Sequence, residues 1–108
     1  MIGAGTVTNL IELRDALSAG ATYIVTPNIN ENVIIECKEK NIPIFVGALT
    51  PTEIQKAWQL GASIVKVFPV SSLGGVEYIK NIRGPFNNIK FLACGGVNPG
   101  NIRDYFDA

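Results

Sequence analysis

Apolar positions along the chain follow two rhythms. Short, nearly unbroken runs alternate with stretches in which apolar residues recur every three or four positions; the runs are Ile2 to Val7, Tyr23 to Thr26, Ile42 to Val46, Ile64 to Phe68 and Phe91 to Cys94. Runs without polar interruption predict parallel strands covered on both faces. The stretches between them carry helix signals. Asn9 precedes Glu12 by three positions and Thr50 precedes Glu53 by three, both capping-box patterns. Pro51 after Thr50, and Pro99 after Asn98, sit where a first helical residue is expected. Leu13, Ala16 and Leu17 line one face of the first helix, and Ile54, Ala57 and Trp58 line a face of the third. Gly20 and Gly61 fall where those helices should stop. The order is β-α-β-α-β-α-β-α-β with the opening of a fifth helix, which predicts repeated right-handed βα units. A shift of 41 positions lays Glu12, Leu13, Ala16, Gly20 and Ala21 on Glu53, Ile54, Ala57, Gly61 and Ala62, as a repetitive architecture requires.

Two architectures accommodate this pattern. One is a small open sheet of the flavodoxin type, complete as written. The other is a section of a (β/α) barrel, which needs eight strands and about 250 residues. The chain opens one residue ahead of its first run and stops shortly after Tyr105-Phe106, so both ends read as cut. With 108 residues it is expected to form a single domain.

Composition narrows the chemistry. Nine basic and nine acidic residues cancel, leaving no electrostatic reason to seek nucleic acid or an acidic membrane. A hydrophobic share of 47% supports a packed core over disorder. The chain has no histidine, which excludes His-metal sites, Ser-His triads and imidazole relays, and no metal site is expected. Cys37 and Cys94, far apart in sequence, read as unpaired thiols in a reducing, cytoplasmic setting. No apolar run approaches the ~20 residues of a membrane span, and no secretory leader is visible.

Lys66 stands out. The repeat sets it opposite Val25, so one strand carries an ammonium where its relative carries an aliphatic side chain. Alternation places Ile64, Lys66 and Phe68 on one face and Val65 and Val67 on the other. All nine carboxylates fall in predicted helices or at their ends, so none lies in a strand to neutralise the lysine. A lysine among aliphatic neighbours loses its proton more readily, and a free amine attacks carbonyls to form a Schiff base. The plainer alternative is a lysine that snorkels to water along its own stem. Lys90, just ahead of its apolar run, is the solvated control.

The glycines suggest ligand approach with less specificity. Cys94-Gly95-Gly96-Val97-Asn98-Pro99 joins a strand end to an expected helix start, a generic anion cradle or a plain tight turn. Leu73-Gly74-Gly75 could form a backbone nest. Gly3 and Gly5, beside Thr6, offer either ligand approach or room for packing. Pro27 and Pro69 terminate strands, while Trp58 and Tyr78 fall at core spacing.

Taken in order, Gly3-Ala4-Gly5-Thr6-Val7, Ile24-Val25-Thr26-Pro27, Gly47-Ala48-Leu49-Thr50-Pro51-Thr52-Glu53, Val65-Lys66-Val67-Phe68-Pro69, Leu73-Gly74-Gly75 and Gly95-Gly96-Val97 carry a family resemblance. Across nearly its whole length the chain resembles the bacterial 2-keto-3-deoxy-6-phosphogluconate / 4-hydroxy-2-oxoglutarate (KDPG/KHG) aldolases. The Lys-x-Phe-Pro and Thr-Pro-x-Glu elements are the specific part. The resemblance implies an α/β fold of the (β/α)8 TIM-barrel family, with residues 1–108 a single partial domain supplying strands three to seven. It implies a cofactor-independent class I aldolase that cleaves a 2-keto acid to pyruvate and glyceraldehyde 3-phosphate or glyoxylate, and a homo-oligomer, a trimer in the family. Lys66 then matches the Schiff-base lysine. Thr6, Pro27 and Phe68 match the pyruvate pocket, and Gly95 and Gly96 the phosphate-binding pair. The family's acid–base glutamate and carboxylate-binding arginine belong to an earlier strand and its phosphate-binding serine to the eighth, so this length alone is expected to be a weak or inactive catalyst. Cys94 stands where members commonly have threonine. Two other functions fit the residues taken singly: a non-catalytic phosphate-binding scaffold, and a sugar-phosphate isomerase or epimerase in which Lys66 only pairs with substrate.

Overall fold

Side-chain oxygens start the first helices. The Asn9 amide oxygen accepts the Glu12 N–H at 2.8 Å and opens α1 (Leu10–Ser18). Asn30, which the pattern did not single out, accepts the Val33 N–H at 3.1 Å and opens α2 (Glu31–Glu39). At α3 (Pro51–Leu60) the Glu53 carboxylate accepts both the Thr50 N–H, at 3.1 Å, and the Thr50 hydroxyl, at 2.5 Å. These bonds hold Glu53 below the usual carboxylate range. Gly20 and Gly61 sit at the helix ends, as expected. A 3₁₀ turn (Val70–Leu73) leads into α4 (Val76–Arg83).

The computed structural model, which describes residues 1–108, joins these helices through five parallel strands. They are β1 (Gly3–Ala4), β2 (Tyr23–Thr26), β3 (Ile44–Ala48), β4 (Ile64–Val67) and β5 (Phe91–Ala93), followed by α5 (Ile102–Asp107). Strand order in the sheet is the order of the chain, β1-β2-β3-β4-β5. That order removes the flavodoxin-type alternative, whose strands reverse direction of addition at a switch point. With each crossover stepping the same way, the helices collect on one face. Burial agrees: Ile24, Thr26, Ile44, Val46, Ala48, Val65 and Val67 are sealed on that face together with Leu13, Val33, Ile34 and Ile54 from the helices. Each such aliphatic side chain contributes roughly 1.5–3 kcal/mol on leaving water. The opposite face, with Tyr23, Val25, Phe45, Ile64 and Lys66, is only half-buried.

Several boundaries differ from the sequence pattern, each for a local reason. β1 spans two residues instead of the run to Val7, because Thr6 leaves the extended region at φ 55°. Val7 then returns to the core and donates to the Val25 carbonyl at 3.3 Å. β3 begins after Pro43, which has no N–H for a ladder. The last helix does not start with Pro99 at its first position. Asn98 instead accepts the Gly100 N–H at 2.8 Å through its side chain, making a turn, and Asn101 stands at the helix start. Regular helix begins at Ile102, although the Asn98 carbonyl already accepts the Ile102 N–H at 2.9 Å. Trp58 and Tyr78 pack against the core as expected, but the Tyr78 hydroxyl also donates to the Leu49 carbonyl. Burial, with Glu53 nearby, raises the Tyr78 phenol above its ordinary value. No helix is long and apolar enough to cross a membrane.

Glu36 ties α1 to α2. It accepts from Arg14 at 2.9 Å and from Lys40 at 3.3 Å, and Arg14 is the main cause that holds its carboxyl below the ordinary 4.5. A carboxylate depressed in the folded state stabilises above its unfolded value and loses that contribution as pH falls. The urea midpoint should therefore drop between about pH 5 and pH 3. Glu36→Gln should flatten part of that slope, and an unchanged slope would count against the assignment. The effect is small, because the Arg14 side chain is 60% exposed.

Candidate active site

Parallel strands share one C-terminal edge, and loops following them face the same way. Thr6, Pro27, Phe68 and the Gly95-Gly96 pair all follow strands, so the topology gathers them along this edge. Lys66 stands third in β4, on the half-buried face, as alternation predicts; Val65 and Val67 on the other side are fully buried.

Lys66 is not sealed among aliphatic side chains. It is half-buried, and its nearest aromatic neighbour is Phe68, with Nζ 4.6 Å from the ring centroid. A cation over an aromatic face is held there electrostatically, and the same ring limits water on one side of the amine. None of the four salt bridges involves Lys66, and all nine carboxylates lie in helices. The amine is therefore free of a competing carboxylate. Lys90 is exposed, as its position outside the run predicted.

Register brings Gly47 beside Lys66 and Leu92 on the other flank. Gly47 was not among the predicted site residues. A Cβ there would lie 2.3 Å from both the carbonyl carbon and the carbonyl oxygen of Pro27. Thr26 fixes this crossing: its buried hydroxyl donates to the Asn28 carbonyl at 2.8 Å and accepts the Gly47 N–H at 3.3 Å. Glycine in the middle of a strand is the one sequence signal that could have marked a close backbone approach. Pro27, Gly47, Lys66 and Phe68 thus form one group. Thr6 lies farther along the edge, beyond β2, exposed and with positive φ. Such a backbone is uncommon for a β-branched residue.

Gly95 and Gly96 form the second group, against the residues that follow Phe68. Gly95 packs on Pro69 and Gly96 on Ser71. The Val70 N–H donates to the Cys94 carbonyl at 2.8 Å and the Cys94 N–H to the Val67 carbonyl at 3.1 Å, locking the two loops together. Both cysteines are free; burial pushes the Cys37 thiol up to about 11, whereas Cys94 is half-exposed. The hollows of the surface lie elsewhere. One of about 380 Å³ opens near Tyr23 and Phe45 at the N-terminal ends of the strands, and one of about 270 Å³ runs between β5 and α5.

A family described as KDPG and KHG aldolase matches residues 1–108. The 2-dehydro-3-deoxy-phosphogluconate aldolase of Haemophilus influenzae is 39% identical over 105 residues, which cover 97% of this chain and 50% of that protein. KDPG aldolase from Legionella pneumophila, solved with pyruvate captured as a covalent carbinolamine, superposes with a TM-score of 0.91 at 31% identity, over 99% of this chain and 52% of that one. A cube-shaped cage designed by fusing symmetric oligomeric domains matches with a TM-score of 0.91 at 36% identity, over 98% of this chain and 39% of that one. The chain thus spans about half the length of the curated relatives it matches.

Proposed function

The chain belongs to the KDPG and KHG aldolase family, and from that premise we propose that it carries the Schiff-base lysine of a class I aldolase acting on a 2-keto acid. The observation that carries this reading is Lys66: an unpaired amine on the uncovered face near the C-terminal edge of the sheet, against Phe68 and beside the side-chain-free Gly47. Its Nζ attacks the C2 carbonyl of the substrate to give a carbinolamine, which loses water to form an imine. The C4 hydroxyl gives up its proton, the C3–C4 bond breaks, and its electron pair moves into the protonated imine. An aldehyde leaves, and the enamine that remains takes a proton at C3; hydrolysis then frees pyruvate and the amine. Pro27 and Phe68 wall the keto acid in, Thr6 extends that wall, and Gly95 and Gly96 receive the phosphate of a phosphorylated substrate. The aldehyde product is glyceraldehyde 3-phosphate or glyoxylate. General acid–base help at the carbinolamine is worth 10²–10⁴-fold in such chemistry, and on this reading it comes from outside residues 1–108.

The five sequential strands are read as strands three to seven of a (β/α)8 barrel. Association is part of the proposal. A homo-oligomer, a trimer as in the family, belongs to the same reading, in a cytoplasmic setting suited to two free thiols. Light scattering at micromolar concentration should return three times the 11.6 kDa chain mass, and a strict monomer would remove this part.

Borohydride reduction in the presence of pyruvate tests the chemistry. A stable adduct on a single lysine is expected. No adduct, under conditions that label a full-length relative, favours a phosphate-binding scaffold instead.

A further inference from the structure

The exit of β3 is pinned by a side chain from α4, the helix that follows β4. Ala48 ends β3, and its carbonyl accepts the Phe68 N–H at 3.2 Å, the last rung before both segments leave the sheet. Leu49 then turns toward α3, half-buried, and no main-chain N–H donates to its carbonyl. The donor is the Tyr78 hydroxyl, carried by the first turn of α4. A carbonyl withdrawn from water without a partner is costly, so this bond decides where Leu49 settles. Burial raises the Tyr78 phenol, and the hydroxyl therefore stays a donor at physiological pH. Glu53 ties the next residue, Thr50, by its N–H and its hydroxyl. The rung one residue back bears on the reacting group. Phe68 hangs from the Ala48 carbonyl, and its ring lies 4.6 Å from Lys66 Nζ. Phe68 is exposed, so its backbone anchor matters more to its placement than packing does.

We propose that Tyr78 is a positioning residue for imine formation: its hydroxyl fixes Leu49, Leu49 keeps the Ala48–Phe68 rung closed, and that rung sets the Phe68 ring against the Lys66 amine. This rests on the reading of Lys66 as the Schiff-base lysine. Tyr78 acts only through Leu49, Ala48 and Phe68. Packing against the core needs no more than its ring; the hydroxyl is the part that the core does not require.

The test compares the unmodified chain with Tyr78→Phe, which keeps the ring and removes the donor. Ile79→Val is the control, a buried neighbour on α4 whose lost methylene lowers stability without touching Leu49. Each protein is followed by the NMR shift of the Lys66 ε-methylene, which the Phe68 ring moves upfield, and by the rate of borohydride trapping across a series of pyruvate concentrations. In Tyr78→Phe the upfield shift should shrink, and the maximal trapping rate should fall about threefold, as loss of one neutral hydrogen bond allows. The half-saturating pyruvate concentration should stay nearly constant, because the Thr26 hydroxyl, bonded to the Asn28 carbonyl, holds Pro27 independently. Ile79→Val should lower the urea midpoint and leave both quantities as in the unmodified chain. An unchanged rate or an unchanged shift in Tyr78→Phe, or an equal fall in Ile79→Val, overturns the role of Tyr78 and leaves Lys66 standing. Absence of any adduct on the unmodified chain overturns the reading of Lys66, and the role of Tyr78 with it.

Discussion

Lys66→Ala is expected to abolish the pyruvate adduct that borohydride fixes on the unmodified chain. The adduct requires a nucleophilic amine within reach of a carbonyl, and no other lysine lies within a strand. Lys66→Arg should fail as completely. It keeps the positive charge and most of the stem, but a guanidinium does not give up its proton in a protein and cannot condense with a ketone. Neither change should unfold the chain, because Lys66 is half-buried and makes no ion pair whose partner would be stranded. Intact mass and peptide mapping read the adduct, and a urea transition read alongside checks the fold. An adduct that persists in Lys66→Ala, or that maps to Lys90, would sink the assignment.

Gly47→Val should produce the second large effect, on fold and site together. Its Cβ would come 2.3 Å from the Pro27 carbonyl group, closer than any stable packing allows. The sheet must then spread at β2–β3, or Pro27 must lift away, breaking the bond from the Gly47 N–H to the Thr26 hydroxyl. Overpacking of this kind costs about 3 kcal/mol at its upper range, readable as a lowered urea midpoint. Whatever fraction stays folded should trap less pyruvate, because Pro27 no longer borders the lysine. Gly47→Ala should show both effects at smaller size. Unchanged stability and unchanged trapping in the valine variant would mean that Pro27 is not held against β3 as described.

The two predictions draw on different amounts of sequence information. Lys66 was legible in the sequence because a strand interrupted by an ammonium is a local anomaly, visible against Val25 in the internal repeat and against alternation with Val65 and Val67. Its surroundings were not. The pattern implied an amine enclosed by aliphatic side chains, whereas the sheet leaves that face half-open and supplies an aromatic ring. Gly47 gave only the weak hint of a glycine inside a strand. Its meaning depends on how closely the next strand's loop crosses, and that loop is twenty residues away in the chain.

Local physics, then, was written in the sequence: apolar runs for five strands, Asn9 and Thr50 at helix starts, glycines at helix ends, and a charge misplaced in a strand. These follow from hydrogen-bonding and burial preferences that act over a few residues. What only the tertiary structure decided is everything that depends on which segments become neighbours. The strand order discriminated between an open doubly wound sheet and a singly wound one. Regular helix behind Gly96 begins only at Ile102, after a turn in which the Asn98 side chain accepts the Gly100 N–H and the Asn98 carbonyl accepts the Ile102 N–H. Thr6 took a positive φ that no sequence preference foretells. Ser71 came to rest on Gly96 across a gap of 25 residues, since pairing of β4 with β5 fixes their following loops side by side. Such juxtapositions are set by the global cost of sheet register, to which no single residue's preference gives access.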